Sequence, residues 1–183
     1  MNDSKGYNGW TNYETWVVNL WMDNSGTDMD AQAREMVQAS LDDGNTGDDV
    51  RSEAVTTLAG MLHIDHDEAT YEVAGVFADL LRAALCKVNW REIAQHYVDE
   101  VPLYCAGWNM PGYMHDVEPS LYLDADDAIA YIQESAKHAA EQDDDVTAED
   151  AAERGEQIAD WRADARGEFG CTIGGYHYFV TQV

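Results

Sequence analysis

The chain has 183 residues, with 36 Asp and Glu against 10 Lys and Arg, for a net charge of −26. Charge of that size opposes compaction by self-repulsion and repels nucleic acid and anionic membranes, so direct DNA or RNA binding is excluded as an expectation. An apolar content of 45%, with six Trp and ten Tyr, excludes an acidic disordered tail. No apolar run approaches the roughly 18 residues of a membrane-spanning helix.

The segment Met1 to Gly6 has neither a basic start nor an apolar signal region, so a cytoplasmic location is expected. Thr11 followed by Glu14 reads as a capping box opening a helix whose apolar face is Tyr13, Trp16, Val17, Leu20 and Trp21. Asn24-Ser25-Gly26 stops it. A second helix is predicted from Met29 to Leu41, using Ala33, Met36, Val37 and Leu41, before a loop over Asp42 to Asp49. A third covers Val50 to His63, with Val55, Leu58 and Leu62 inward. A fourth covers Asp67 to Lys87, with Val73, Val76, Phe77, Leu80, Leu81 and Leu85 inward. Asn89 caps a short helix, Trp90 to Val98. The grammar changes at Val101-Pro102. Leu103 to Trp108 suits a strand, Asn109-Met110-Pro111-Gly112 a turn, and Ser120 to Leu123 a second strand. Asp124 to Gln142 is a helix with Ala128, Ile129, Tyr131, Ile132 and Ala136 inward. Thr147 caps another that reaches Arg166 and ends at Gly167 or Gly170. Thr172 to Val183 is β-rich, with a bend at Gly174-Gly175. The expected fold is α+β and mainly helical. A helical domain over 7–100 precedes a small α+β domain over 101–183 with two or three strands and two helices, the two packed as one unit or apart.

Glu149, Glu153, Glu156, Asp160 and Asp164 recur at helical steps in the segment after Thr147 and form one line of carboxylates about 22 Å long. Ala151, Ile158, Trp161 and Ala165 lie opposite. A second, weaker stripe is Asp65, Glu68, Glu72 and Asp79. Further clusters are Asp42-Asp43, Asp48-Asp49, Asp124 with Asp126-Asp127, and Asp143-Asp144-Asp145. Duplex DNA carries one charge per roughly 1.7 Å, so a charge of −26 corresponds to about 44 Å of duplex, close to the roughly 40 Å span of a chain this size.

Chemical motifs are few. His63-Ile64-Asp65-His66-Asp67-Glu68 holds nitrogen and oxygen ligands in one stretch, but the spacing fits no zinc or calcium pattern and reads as a helix-to-helix turn. No metal or other cofactor is expected. Cys86, Cys105 and Cys171 lack zinc-site spacing and read as buried free thiols. Cys-His catalysis would require Cys105 or Cys171 beside His115 or His177. Gly174-Gly175 lacks the Lys and following helix of a phosphate loop. Trp10, Trp16, Trp21 and Trp90 read as core, and Trp108 to Tyr113 as a packed turn or an exposed recognition loop.

Gly9-Trp10-Thr11-Asn12-Tyr13-Glu14-Thr15-Trp16-Val17-Val18-Asn19-Leu20-Trp21 resembles the opening of small uncharacterised proteins of phages, plasmids and other mobile elements. Phe77 to Leu81 and Val88 to Ala94 are similar to the second half of the same domain, so the resemblance covers about residues 7 to 100. Met110 to Pro119 is similar to another small phage module. Neither family brings an activity with it, but the resemblance implies a setting in which acidic proteins block host defence by imitating DNA.

The expectation is therefore a non-enzymatic DNA mimic. Glu149, Glu153, Glu156, Asp160, Asp164, Asp143, Asp144, Asp145, Asp65, Glu68, Glu72 and Asp79 would contact the basic groove of a host DNA-binding protein or nuclease complex. A homodimer would extend the acidic surface. The alternatives are a salt-adapted accessory interaction protein, suggested by the excess of Asp over Glu and only three lysines (Lys5, Lys87, Lys137), and a metal-dependent hydrolase using His63, Asp65 and His66.

Overall fold

Thr15, Asn19 and Met22 face the core from the first helix, rather than the aromatic residues around them. The computed structural model describes residues 6–109, 119–141, 168–173 and 176–183, without side chains for 139–141 and 168–173. The chain divides into two compact units, Met1–Val101 and Pro102–Val183.

The first unit is helical: α1 (Tyr13–Asn24), α2 (Met29–Asp42), α3 (Asp48–Ala69), a 3-10 turn (Thr70–Glu72), α4 (Val76–Leu85) and α5 (Trp90–Glu100). Ala33 and Val37 of α2, Val55 and Leu58 of α3, and Ile93 and Val98 of α5 are fully enclosed and form the centre of the core. Arg51 of α3 fixes the end of α5, where carbonyls lack intrahelical partners. Its Nη1 donates to Val98 O at 2.6 Å and its Nη2 to Val101 O at 3.0 Å.

Several expectations are corrected in this unit. The cap of α1 is Asn12, whose side chain accepts from Thr15 N at 2.8 Å, one residue later than the Thr11 box. At 3.6 residues per turn, the buried stripe of α1 lies roughly 150° around the helix from the predicted one. Tyr13, Leu20 and Trp21 are exposed, with Trp21 at 70%. The polarity pattern misled here because the Thr15 hydroxyl is fully paired inside the fold, while Asn19 donates through Nδ2 to Asp23 and leaves its buried Oδ1 without a partner among the described residues. His63 to Glu68 is no turn. No Gly or Pro interrupts it, and α3 continues through it to Ala69. The break falls later, where Val73 is extended and Gly75 takes φ +71°, a conformation that favours glycine. The predicted helix from Asp67 to Lys87 is therefore split. Its face is not inward: Val76, Phe77 and Leu80 are 63%, 71% and 62% exposed, and only Ala78 of α4 is buried. Cys86 is exposed and Cys105 half-buried, so neither is a buried thiol.

Before α1, Tyr7 and Trp10 exchange backbone hydrogen bonds of 2.9 and 2.8 Å around Asn8 (φ 46°) and Gly9 (φ 91°). Positive φ at both central residues is the pattern of a type I′ hairpin turn, for which Asn-Gly is the favoured pair. The turn lays Tyr7 on Tyr13 and Trp16, with ring centroids 5.1 and 5.0 Å away.

The second unit contains β1 (Tyr104–Asn109), β2 (Ser120–Tyr122), α6 (Ala125–Glu141), β3 (Glu168–Ile173) and β4 (Tyr176–Gln182). The strands form an antiparallel sheet in the order β2-β1-β4-β3. The class is mainly helical α+β, as expected, but the sheet has four strands rather than two or three. The added strand is Glu168–Ile173, so Gly170 lies in a strand instead of ending a helix. Ala128, Ile129, Ile132 and Ala136 of α6 are buried with Ala106, Tyr178 and Val180 of the sheet. Gly107 pairs with Phe179, and a Cβ there would meet the Phe179 ring at 3.0 Å.

Arg51→Ala should lower the unfolding free energy by about 1.5–3 kcal/mol, the range for hydrogen bonds to charged groups, read by urea denaturation. Tyr97 gives a pH signature. Burial first, then donation to Asp23 Oδ1 at 2.5 Å and the charges of Asp23 and Asp30, push its phenol far above the ordinary 10.0. The folded state holds that proton more tightly than the unfolded state. The contribution is therefore complete below pH 10 and is lost as pH rises further. Wild type should lose stability above pH 10 more steeply than Tyr97→Phe in urea titrations; parallel curves would assign the loss to other groups.

Candidate functional site

The two halves of the sequence motif meet. Thr11 N donates to Glu92 Oε2 at 3.1 Å, and Asn12 Nδ2 donates to Lys87 O at 2.8 Å. The buried Thr15 hydroxyl donates to Asn12 Oδ1 at 2.8 Å and accepts from Asn89 N at 2.9 Å. Lys87 Nζ reaches Glu14 Oε1 at 3.2 Å. The Glu14 carboxyl is held below its ordinary range, first by a backbone hydrogen bond and then by Lys87. Asn89 in turn caps α5 by accepting from Glu92 N. Thr11 to Thr15 and Lys87 to Glu92 thus form one polar clamp tying the start of α1 to the α4–α5 connection. Its groups are satisfied by one another, which is the arrangement of a structural motif rather than a reactive one. The sequence shows these residues as two motif halves but gives no sign of their pairing.

His63 and His66 lie against Trp90, at centroid distances of 5.9 and 4.8 Å. His66 Nδ1 is 2.8 Å from Leu62 O, which can only accept, so that nitrogen carries a proton. Among the described residues no group of three or more His, Cys, Asp or Glu is arranged to hold a metal ion. Burial pushes the Cys105 thiol up, which disfavours the thiolate. His177 pairs with Asn109, four residues along β1 from Cys105, or about 13 Å at strand rise. Among the described residues no helix is long and apolar enough to cross a membrane.

The acidic residues have a clear pattern. Each unit carries a net charge of −13, and among the described residues no Asp or Glu is buried. Some acids serve helix starts: Asp28 accepts from Ala31 N, Asp124 accepts from Asp126 N, and Asp48, Asp49 and Asp79 stand in first turns. There the helix dipole favours them. Others stand at helix ends, where the same dipole opposes them: Asp42 of α2, Asp67 and Glu68 of α3, and Asp99 and Glu100 of α5. Arg51, Arg82, Lys87 and Arg91 each donate to another element.

The weaker predicted stripe does not run along one helix. Asp65 and Glu68 are on α3, Glu72 is in the 3-10 turn and Asp79 is on α4, all exposed. Glu149, Glu153, Glu156, Asp160 and Asp164, together with Asp143, Asp144 and Asp145, lie outside the described residues, as does most of the Trp108 to Tyr113 loop.

Thr15→Val keeps the shape but leaves the Asn89 N–H without its acceptor. It should cost about 1–3 kcal/mol, while Thr15→Ser should cost less; equal losses in urea melts would remove the hydroxyl from the clamp.

Residues 3–102, which include both halves of the clamp, match the profile of a family of unknown function, DUF7249. That description names no activity, partner or source. No curated protein and no solved structure matches the chain. The matched stretch covers more than half of the 183 residues, and the chain belongs to the family of unknown function DUF7249.

Proposed function

We propose that the protein is an acidic mimic of duplex DNA that occupies the basic nucleic-acid groove of a host DNA-binding defence protein, such as a restriction enzyme or CRISPR effector, and has no catalytic role of its own. The observation that carries this reading is the charge. Each unit has −13, and no described carboxylate is withdrawn into a core. Acids at the ends of α2, α3 and α5 oppose the helix dipole, and of these Asp42 and Asp99 accept from Gln38 and Gln95 rather than from a cation in the bonds described. A partner's guanidinium groups would pair with carboxylates as they pair with phosphates, preferably two bonds at a time. Long-range attraction would speed encounter and make it salt-sensitive. The likeness of Gly9 to Trp21 to phage and plasmid proteins supports an anti-defence setting.

The composition favours a second reading, adaptation to concentrated salt: Asp outnumbers Glu 22 to 14, and only three residues are Lys. Near 1 M salt the Debye length is about 3 Å, which removes most self-repulsion. A chain that unfolds in dilute buffer would support that reading.

Tagged protein should capture a DNA-binding protein from host lysate at moderate salt and release it to competing duplex DNA. Joint substitution of Glu149, Glu153, Glu156, Asp160 and Asp164 by Gln or Asn should weaken the complex about tenfold or more, since several pairs are lost at once. Capture that ignores duplex DNA would sink the mimic, and unchanged affinity of the five-site variant would remove that segment from it.

A further inference from the structure

The corrected orientations of α1 and α4 have a joint result. Val17, Val18 and Trp21 of α1 face Leu81 and Leu85 of α4 across an open groove of about 570 Å³, with Leu62 of α3 also in its lining. That is the size of pockets that hold large apolar groups, about 300–1,000 Å³. Phe77 and Leu80 continue the apolar face of α4 beyond Leu81, at helical spacing, and are 71% and 62% exposed. Trp21, 70% exposed, stands on the opposite side. Large exposed apolar patches of this kind mark interaction surfaces.

The surroundings state the charge of the occupant. Asp65 lies in the groove wall, and Glu68 and Glu72 follow it along the chain. Asp28, the cap of α2, directly follows the α1–α2 connection that contributes Ser25 and Thr27 to the lining. The neighbouring cation, Arg82, donates to Thr70 Oγ1 at 3.3 Å and lies 5.9 Å from the Tyr71 ring centre. A second copy would bring the same acids to the same face, and an anionic membrane would be repelled.

We infer that this groove receives an amphipathic helix of a partner protein, with Leu-like anchors at i, i+3, i+4 and i+7 and Lys or Arg on its flanks. Helix-in-groove recognition reads such anchors, and the acidic surround selects against acidic helices. The inference goes beyond the DNA-mimic reading and does not rest on it.

The test is fluorescence anisotropy with a labelled synthetic helix of Leu anchors and Lys flanks at about 150 mM salt, close to physiological ionic strength. Two control peptides are used: one with Leu replaced by Ser at the same charge, one with Lys replaced by Glu. The first peptide should bind, and both controls should bind at least about tenfold more weakly, a difference of about 1.4 kcal/mol. Trp21→Ala with Phe77→Ser should lower affinity by a similar factor. Both side chains are mostly exposed, so circular dichroism should show an unchanged fold. Leu81→Ala, inside the groove, is the second variant. Neutralising Glu149 to Asp164 should leave peptide affinity within about threefold, while the groove variants should leave DNA-competed capture intact, so the two readings fail separately. The inference is overturned if the Leu-anchored peptide does not bind, if the Ser peptide binds as well, or if the groove variants bind like wild type. It is also overturned if sedimentation shows a wild-type dimer that Trp21→Ala dissociates, which would make a second copy the occupant.

Discussion

The Thr15 hydroxyl is the hinge of the helical unit. It is buried, donates to Asn12 and accepts from Asn89 N, so it joins the cap of α1 to the cap of α5. A buried polar group is costly unless both roles are satisfied. Satisfying them requires the α4–α5 connection to lie against the start of α1. Asn12 to Lys87 and Glu92 to Thr11 close the same contact from either side. This seating turns Thr15, Asn19 and Met22 inward and the aromatic stripe of α1 outward. The exposed Trp21 and the open groove follow from a hydrogen-bond demand rather than from poor packing.

Charge shapes the rest. The chain has 10 basic residues, and four of those in the helical unit link elements. Arg51 closes the end of α5, Arg91 reaches Thr56, Arg82 reaches Thr70, and Lys87 pairs with Glu14. They act as links between elements, while the carboxylates remain at the surface. The helical unit therefore presents two unlike surfaces to a partner: a broad acidic one, and an apolar groove bordered by acid. On the two proposed readings, the first would attract basic partners at long range and the second would add shape selection at short range.

Much of the fold is legible because the relevant interactions are local. The extents of α2, α5 and α6 follow from apolar spacing and from caps such as Asn89. The end of α3 is less legible. Acids and histidines between Leu62 and Ala69 resemble a loop, yet nothing in them stops a helix already carried by Leu58 and Leu62.

The sequence by itself determined the charge, the helical character of the first hundred residues, and the strands at Tyr104–Asn109 and Ser120–Tyr122, because propensity, capping and periodicity act between near neighbours. Only the tertiary structure decided which face of α1 and α4 is buried. Amphipathicity locates an apolar stripe, but whether that stripe meets the core depends on partners far along the chain. Here Thr15 and Asn89, 74 residues apart, turned a polar stripe inward. The joining of the two motif halves into a clamp has the same cause. It rests on contacts across about 75 positions, which no local pattern records.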